Sequence, residues 1–180
     1  MISATELTGI VYVLGAVTFD EICAVDKEIS ELRDYTHETN ALHELCIDAV
    51  EEHLLESVSA EDMPGTEADG TTYFITGPNA FPETPTELSQ VIDILKLSVR
   101  KVDIGIIAMK LLQNFQKRIH DLEMGIGAIE GGSEEIQKLE LYYSDLLNLY
   151  YDYDSWLPGK FGIAAGHLME LSKRIEHLKQ

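Results

Sequence analysis

Apolar positions recur along most of the chain at three- and four-residue spacing, the signature of helices with one buried face. Ser3-Ala4-Thr5-Glu6 fits a capping box: the Ser hydroxyl accepts from a free backbone amide and the Glu carboxylate returns to the cap's own N–H. Thr18-Phe19-Asp20-Glu21 is a second box. It opens a stripe of Ile22, Val25, Ile29 and Leu32. The stripe lapses between Tyr35 and Asn40, where Thr36, Thr39 and Asn40 are each suited to cap the next helix. That helix carries Leu42, Leu45, Ala49 and Val50 and is expected to run to about Ser57.

Residues 58–83 break the pattern. Pro64, Gly65, Gly70, Gly77, Pro78 and Pro82 punctuate them, and only Thr71 to Thr76 has strand character. The segment reads as a long irregular connection with room for one short strand or hairpin. Connections this long are uncommon unless functional or mobile.

Thr84-Pro85-Thr86-Glu87 combines an N-cap Thr, Pro at the first helical position and Glu to complete a box. Helical spacing then runs through Ile92, Leu95, Val99, Val102, Ile106 and Met109. It resumes one step out of phase at Leu112, Phe115, Ile119, Leu122, Ile126 and Ile129. This predicts one long helix over 86–129 (84–130 with its ends). Ile94, Leu97, Ile104, Ile107 and Leu111 give it a second apolar face, so neighbours should pack on both sides. Gly131-Gly132 ends it, and Ser133 opens a helix with Leu139, Tyr142, Leu146, Leu149, Tyr153 and Trp156 at heptad spacing. Pro158-Gly159 is a stop, and a last helix over about 160–178 passes through Ile163, Leu168, Leu171 and Ile175. The expected fold is a single all-α domain over 1–180. It is a bundle of about five helices around the 86–129 helix, with acidic helices in 1–57, the loop 58–83 and two C-terminal helices in 133–180.

Charge adds a second theme. The 180 residues carry 13 Lys and Arg against 32 Asp and Glu, a formal net charge of −19. Residues 1–83 alone hold 18 acids and 2 bases, whereas 84–129 hold 5 acids and 6 bases. Phosphates are repelled by such a surface, so direct nucleic-acid binding is not expected. The 45% hydrophobic content supports a core and argues against disorder. Cys23 and Cys46 are too few for a disulfide scaffold and read as buried thiols. The apolar run Ile10 to Val17 resembles a signal-peptide core, but Glu6 precedes it where a base is needed, and it is too short to span a bilayer. The expected location is the cytoplasm, or outside it by export without a cleaved signal.

The acids suggest two kinds of chemistry. Glu44, Asp48, Glu52 and Glu56, with Glu51 beside them, make an i, i+4 ridge with no base interleaved. Such a ridge is either a solvated outer face or a docking surface for a basic protein, whose association would be fast and salt-sensitive. If the chain reverses near residue 38, Glu31 faces Glu44 and Glu28 faces Asp48, and four converging carboxylates suit a hard cation such as Mg²⁺. Glu28-Ile29-Ser30-Glu31 and Glu44-Leu45-Cys46-Ile47-Asp48 resemble the Glu-x-x-Glu and Glu-x-x-Asp ligand motifs of the all-α nucleotide pyrophosphohydrolases. The second piece is one residue longer than that motif, and Lys27 stands where the family often has Glu. The resemblance implies Glu28, Glu31, Glu44 and Asp48 as Mg²⁺ ligands of a hydrolase attacking a phosphoanhydride.

His43, Cys46 and His53 share roughly one side of one helix and form a weaker zinc set that lacks a fourth ligand nearby. Tyr142, Tyr143, Tyr150, Tyr151, Tyr153 and Trp156 read as core by their spacing, and Asp145, Asp152 and Asp154 oppose base stacking. No phosphate loop, nucleophile elbow or His-Glu-x-x-His is present. The leading expectation is a non-enzymatic protein without a cofactor that binds a basic protein partner: an immunity or inhibitor protein, a secretion-associated effector or a chaperone. The alternatives are the Mg²⁺-dependent hydrolase and a structural protein that forms homo-oligomers through the 86–129 heptads.

Overall fold

The computed structural model describes residues 1–63, 69–128 and 133–179. Among these it holds seven α-helices and one two-stranded antiparallel sheet, so the protein is mostly all-α, as the periodicity predicts. Pro64, Gly65, Ile129 and the Gly131-Gly132 stop lie outside the described residues. The chain divides into two compact units, Met1–Ile104 and Gly105–Gln180.

In the first unit, α1 (Ala4–Leu14) and α2 (Phe19–Arg33) start at the two predicted capping boxes. The Ser3 hydroxyl accepts from the Glu6 N–H at 3.2 Å while the Ser3 N–H donates to Glu6 at 3.0 Å. Thr18 and Glu21 exchange the same pair of bonds at 3.2 and 2.9 Å. The apolar run at 10–17 is core: Ile10, Val11, Leu14, Ala16 and Val17 are all buried. Gly15, at φ +79°, reverses the chain after α1, and Val17 then pairs antiparallel with Phe74. Asp34, left-handed at φ 56°, ends α2, and α3 (Thr39–Glu51) follows after a short turn. β1 (Leu55–Ser59) pairs antiparallel with β2 (Thr72–Thr76), Leu55 opposite Thr76 and Ser59 opposite Thr72. α4 (Leu88–Leu95) packs on α2 and closes a core built around Leu7, Ile10, Ile22, Ile29, Leu42 and Leu88.

Three sequence expectations need correction here. The third helix does not reach Ser57. His53, at φ 56°, turns the chain, and the Leu54 N–H donates back to the Ala49 carbonyl at 2.8 Å. Leu55 to Ser59 then form β1, because the strand-like Thr72–Thr76 segment needs a partner and a lone strand has no stability of its own. The single helix over 86–129 is likewise broken. α4 stops at Leu95, Lys96 is left-handed at φ 53°, and the next helix begins at Ile104.

The cause of that break is tertiary. The Arg100 N–H donates to the Leu14 carbonyl at 2.8 Å, and its guanidinium grips both Glu21 oxygens at 2.7 and 2.8 Å and the Ala16 carbonyl at 3.0 Å. A continuous helix would withdraw the Arg100 amide from that bond. Of the expected stripe, Val99 and Met109 are accordingly 65% and 63% exposed. The box at Thr84–Glu87 does not form either. Arg33 takes the Glu87 carboxylate in two bonds of 2.9 and 2.6 Å, and the Leu88 N–H closes a turn onto the Pro85 carbonyl.

α1 lies so close to the chain at Glu83 and Thr84 that a Cβ on Gly9 would stand 2.2 Å from the Glu83 carbonyl oxygen. Glycine within a helix is otherwise unfavourable by about 1 kcal/mol relative to alanine. The contact reverses that sign, because the obstacle is backbone. Gly9→Ala is expected to destabilise the protein by about 1–3 kcal/mol in urea denaturation, as overpacking does. A gain in stability would show that this contact is loose.

The second unit holds α5 (Ile104–Ala128, whose first residue belongs to the first unit), α6 (Ser133–Trp156) and α7 (Gly162–Leu178). α5 buries Ile107, Leu111, Phe115, Ile119, Leu122 and Ile126, so the inward face at its start is the one expected to be secondary. Leu146, Leu149 and Tyr153 of α6 and Leu168, Leu171 and Ile175 of α7 are buried as their spacing predicts, but Ile163 is 66% exposed and Ala164 takes its place. Phe115 meets Phe161 edge-on with centroids 5.8 Å apart, and Tyr153 stacks on Phe161 at 5.0 Å. Among the described residues, no helix is long and apolar enough to cross a membrane.

Candidate interaction site

The buried stripe of α3 is Leu42, Cys46 and Ala49. At about 100° per residue, Glu44 and Glu51 lie about 180–200° round the helix from that stripe and Asp48 about 240°. Glu44 and Glu51 therefore point straight away from the core, and Asp48 stands on one flank, about 120° from the buried stripe. Glu44, Asp48, Glu51 and, just past the helix, Glu52 are all exposed. No cation among the described residues forms an ion pair with any of the four. Glu56 does not continue the ridge. It lies on β1, 7% exposed, with its carboxylate 2.8 Å from His53 Nδ1. The expected i, i+4 run fails at that point because the helix has already ended.

The residues of the metal resemblance are not brought together. The stripe of α2 is Ile22, Val25, Asp26, Ile29 and Ser30, which places Glu31 about 180° away from it and Glu28 about 120° away. Glu31, Glu44 and Asp48 are exposed and Glu28 is half-buried, each on a side of its helix away from the buried stripe. Among the described residues, no group of His, Cys, Asp or Glu side chains is placed to hold a metal ion, so Glu28, Glu31, Glu44 and Asp48 do not form one. The same holds for His43, Cys46 and His53. His43 stands edge-on to Phe19 with centroids 5.2 Å apart, whereas His53 sits beyond the helix on Glu56.

His43 and Cys46 have a different setting. Together with Phe19 of α2, Ile47, Val50 and Glu51 of α3, Ser57 of β1 and Phe74 of β2, they line a groove of about 430 Å³. Burial pushes the Cys46 thiol up to about 12, and burial with the Asp20 and Asp26 charges raises Cys23. Neither is the thiolate that nucleophilic chemistry needs, so Cys46 acts as an apolar wall.

The position of α3 is set by a buried carboxylate. Asp26 is fully buried and accepts from the Ile2 N–H at 3.0 Å and the Tyr35 hydroxyl at 2.8 Å, and its other oxygen lies 2.6 Å from His37 Nδ1. His37 Nε2 in turn lies 3.1 Å from the Thr39 hydroxyl at the start of α3. Burial alone would raise the Asp26 carboxyl, but these bonds outweigh it and hold the group below the usual carboxylate range. One acid thereby ties together the N-terminal segment, α2 and the turn into α3.

Fold and site define a class: a mostly α-helical protein whose first unit displays an acidic helix beside an apolar groove. More narrowly, residues 5–172 match the family described as Family of unknown function (DUF7109), and the chain belongs to that family. No curated protein and no solved structure matches it.

Proposed function

We propose that the protein acts without catalysis, as an acidic recognition protein that binds a basic protein partner through the outer face of α3. The observation that carries this reading is the exposure of Glu44, Asp48, Glu51 and Glu52 with no cation paired to them among the described residues. The first unit contains 21 acids and 5 bases, and two of those bases, Arg33 and Arg100, are engaged internally.

The composition of the face supports the same reading. α3 carries Glu44, Asp48 and Glu51 and no Lys or Arg, and the adjoining hairpin connection carries Glu61, Asp62 and Asp69. A surface of that sign repels phosphate and attracts Lys and Arg side chains. Inhibition or immunity, chaperoning and action as a secretion-associated effector are all served by such binding, and none needs a cofactor.

Titration with a lysine- and arginine-rich polypeptide is expected to give binding that weakens steeply with added salt, and an equal concentration of duplex DNA is expected to give none. The E44Q/D48N/E51Q/E52Q variant should bind the polypeptide at least about tenfold less tightly at low salt, with a shallower salt dependence. Affinity unchanged by the four substitutions would reject the proposal.

A further inference from the structure

The groove lies directly beside the acidic face. Counting at about 100° per residue from the buried stripe of α3, Val50 and His43 stand at about 80–100°, Ile47 at about 140° and Glu51 at about 180°. The flank between the core and the acids is therefore the groove wall, and Glu51 belongs to both surfaces. Phe19, Cys46, Val50 and Phe74 make the interior apolar, and the polar side chains His43, Glu51 and Ser57 complete the lining. Ile47 is 39% exposed. A space of about 430 Å³ falls within the range of small ligand pockets and holds one or two bulky side chains.

We propose that this groove seats a bulky apolar side chain from a basic segment of the partner, whose flanking Lys and Arg side chains lie along Glu44, Asp48 and Glu51. The inference rests on the reading of α3 as a docking face and adds what that reading lacks, a source of specificity. Charge alone selects any polycation and is lost in salt. An apolar anchor selects by shape and remains in salt. Charge complementarity determines the occupant. An acidic amphipathic segment is repelled by the same helix, and so are the phosphates of a nucleic acid whose bases were to stack on Phe19 or Phe74. A cationic segment with one large apolar residue satisfies both surfaces at once. The protonated Cys46 thiol suits this role, because it adds no charge to the wall.

The test uses the full chain and nine-residue synthetic peptides of alternating Lys and Arg with Phe, Leu or Trp at the centre. Each is matched by a peptide with Ser at that position. Methyl-labelled NMR and titration calorimetry are the readouts. The apolar peptides are expected to shift the methyl resonances of Ile47 and Val50 and to bind at least about tenfold more tightly than their Ser counterparts, the worth of burying one such side chain. Ser57→Trp places a ring at the groove and should reduce the apolar peptides to the level of the Ser peptides. Ile47→Ser, at an exposed position, should narrow the difference without disturbing the fold. E44Q/D48N/E52Q, which changes no residue of the groove lining, should weaken both peptide sets alike.

Equal binding of the two sets, or no response to Ser57→Trp, would overturn the groove and leave the acidic face standing. Binding that shifts methyls only away from Ile47 and Val50 would also overturn it. Failure of every peptide to bind would overturn both readings.

Discussion

Phe115→Ala is expected to cost the second unit about 3–5 kcal/mol, the usual loss when a fully buried aromatic side chain is cut back to a methyl. Phe115 is 1% exposed, and its ring meets Phe161 at 5.8 Å and Tyr153 at 6.2 Å, both edge-on. These three rings come from α5, α6 and the segment leading into α7, so the cavity left by the substitution opens among elements that cannot all move into it. Domains of this kind hold only about 0.05–0.15 kcal/mol per residue, so the loss consumes much of what a three-helix unit has. Trp156, the one tryptophan of the chain, has its ring 6.4 Å from that of Tyr153 and reports on this site. Its fluorescence midpoint in urea should fall sharply for Phe115→Ala and by much less for Phe115→Leu, which keeps most of the volume. A loss below about 1 kcal/mol for the alanine variant would show that the aromatic cluster does not hold these helices together.

What the sequence revealed and what it hid follow one physical division. Signals that act within a few residues were legible except where a distant group intervened, as Arg33 does by taking the Glu87 carboxylate from the box at Thr84–Glu87. The boxes at Ser3–Glu6 and Thr18–Glu21 form as expected, and the stripes of α6 and α7 bury most of the residues their spacing selects. The break between Leu95 and Ile104 was hidden, because it is enforced by Arg100 bonding to Ala16 and Glu21, 84 and 79 residues away in the chain. Val99 and Val102 kept helical spacing through a segment that is not helix. In the candidate site, Glu44, Asp48 and Glu51 were legible from composition and periodicity alone. Glu56 was misplaced, because its setting depends on where α3 stops. The groove could not be foreseen, since Phe19, Ser57 and Phe74 meet only through the pairing of β1 with β2 and the packing of α2. Asp26 did leave a trace: it stands four residues after Ile22 and three before Ile29, at a core position of the stripe. An acid at such a position is either paired or destabilising, and this one is paired.

Asp26→Ala is accordingly expected to destabilise the first unit by about 3–5 kcal/mol at neutral pH, the range for removing one partner of a buried charged network. The Tyr35 hydroxyl and the Ile2 N–H lose their acceptor, and His37 loses the group that orients it. Unmade bonds of this kind cost more than made ones contribute. Asp26→Asn should cost less, because its carbonyl still accepts from Ile2 and Tyr35. The pH dependence separates charge from shape. The folded state holds the Asp26 carboxyl below its unfolded value, and Glu6 and Glu21 are also lowered, their hydrogen bonds outweighing burial. A carboxyl of this kind stabilises the fold fully above its unfolded pKa of about 4, and the contribution is lost as pH falls through the folded value. Wild-type stability in urea should therefore decline as pH falls below the usual carboxylate range. The gap to Asp26→Ala should narrow over the same interval, since protonation removes from the wild type what the substitution removes outright. Because the network runs through His37 to Thr39, the variant should also loosen the start of α3 and weaken polycation binding while leaving all four surface acids intact. A gap that stays constant with pH would mean that the Asp26 side chain contributes shape alone.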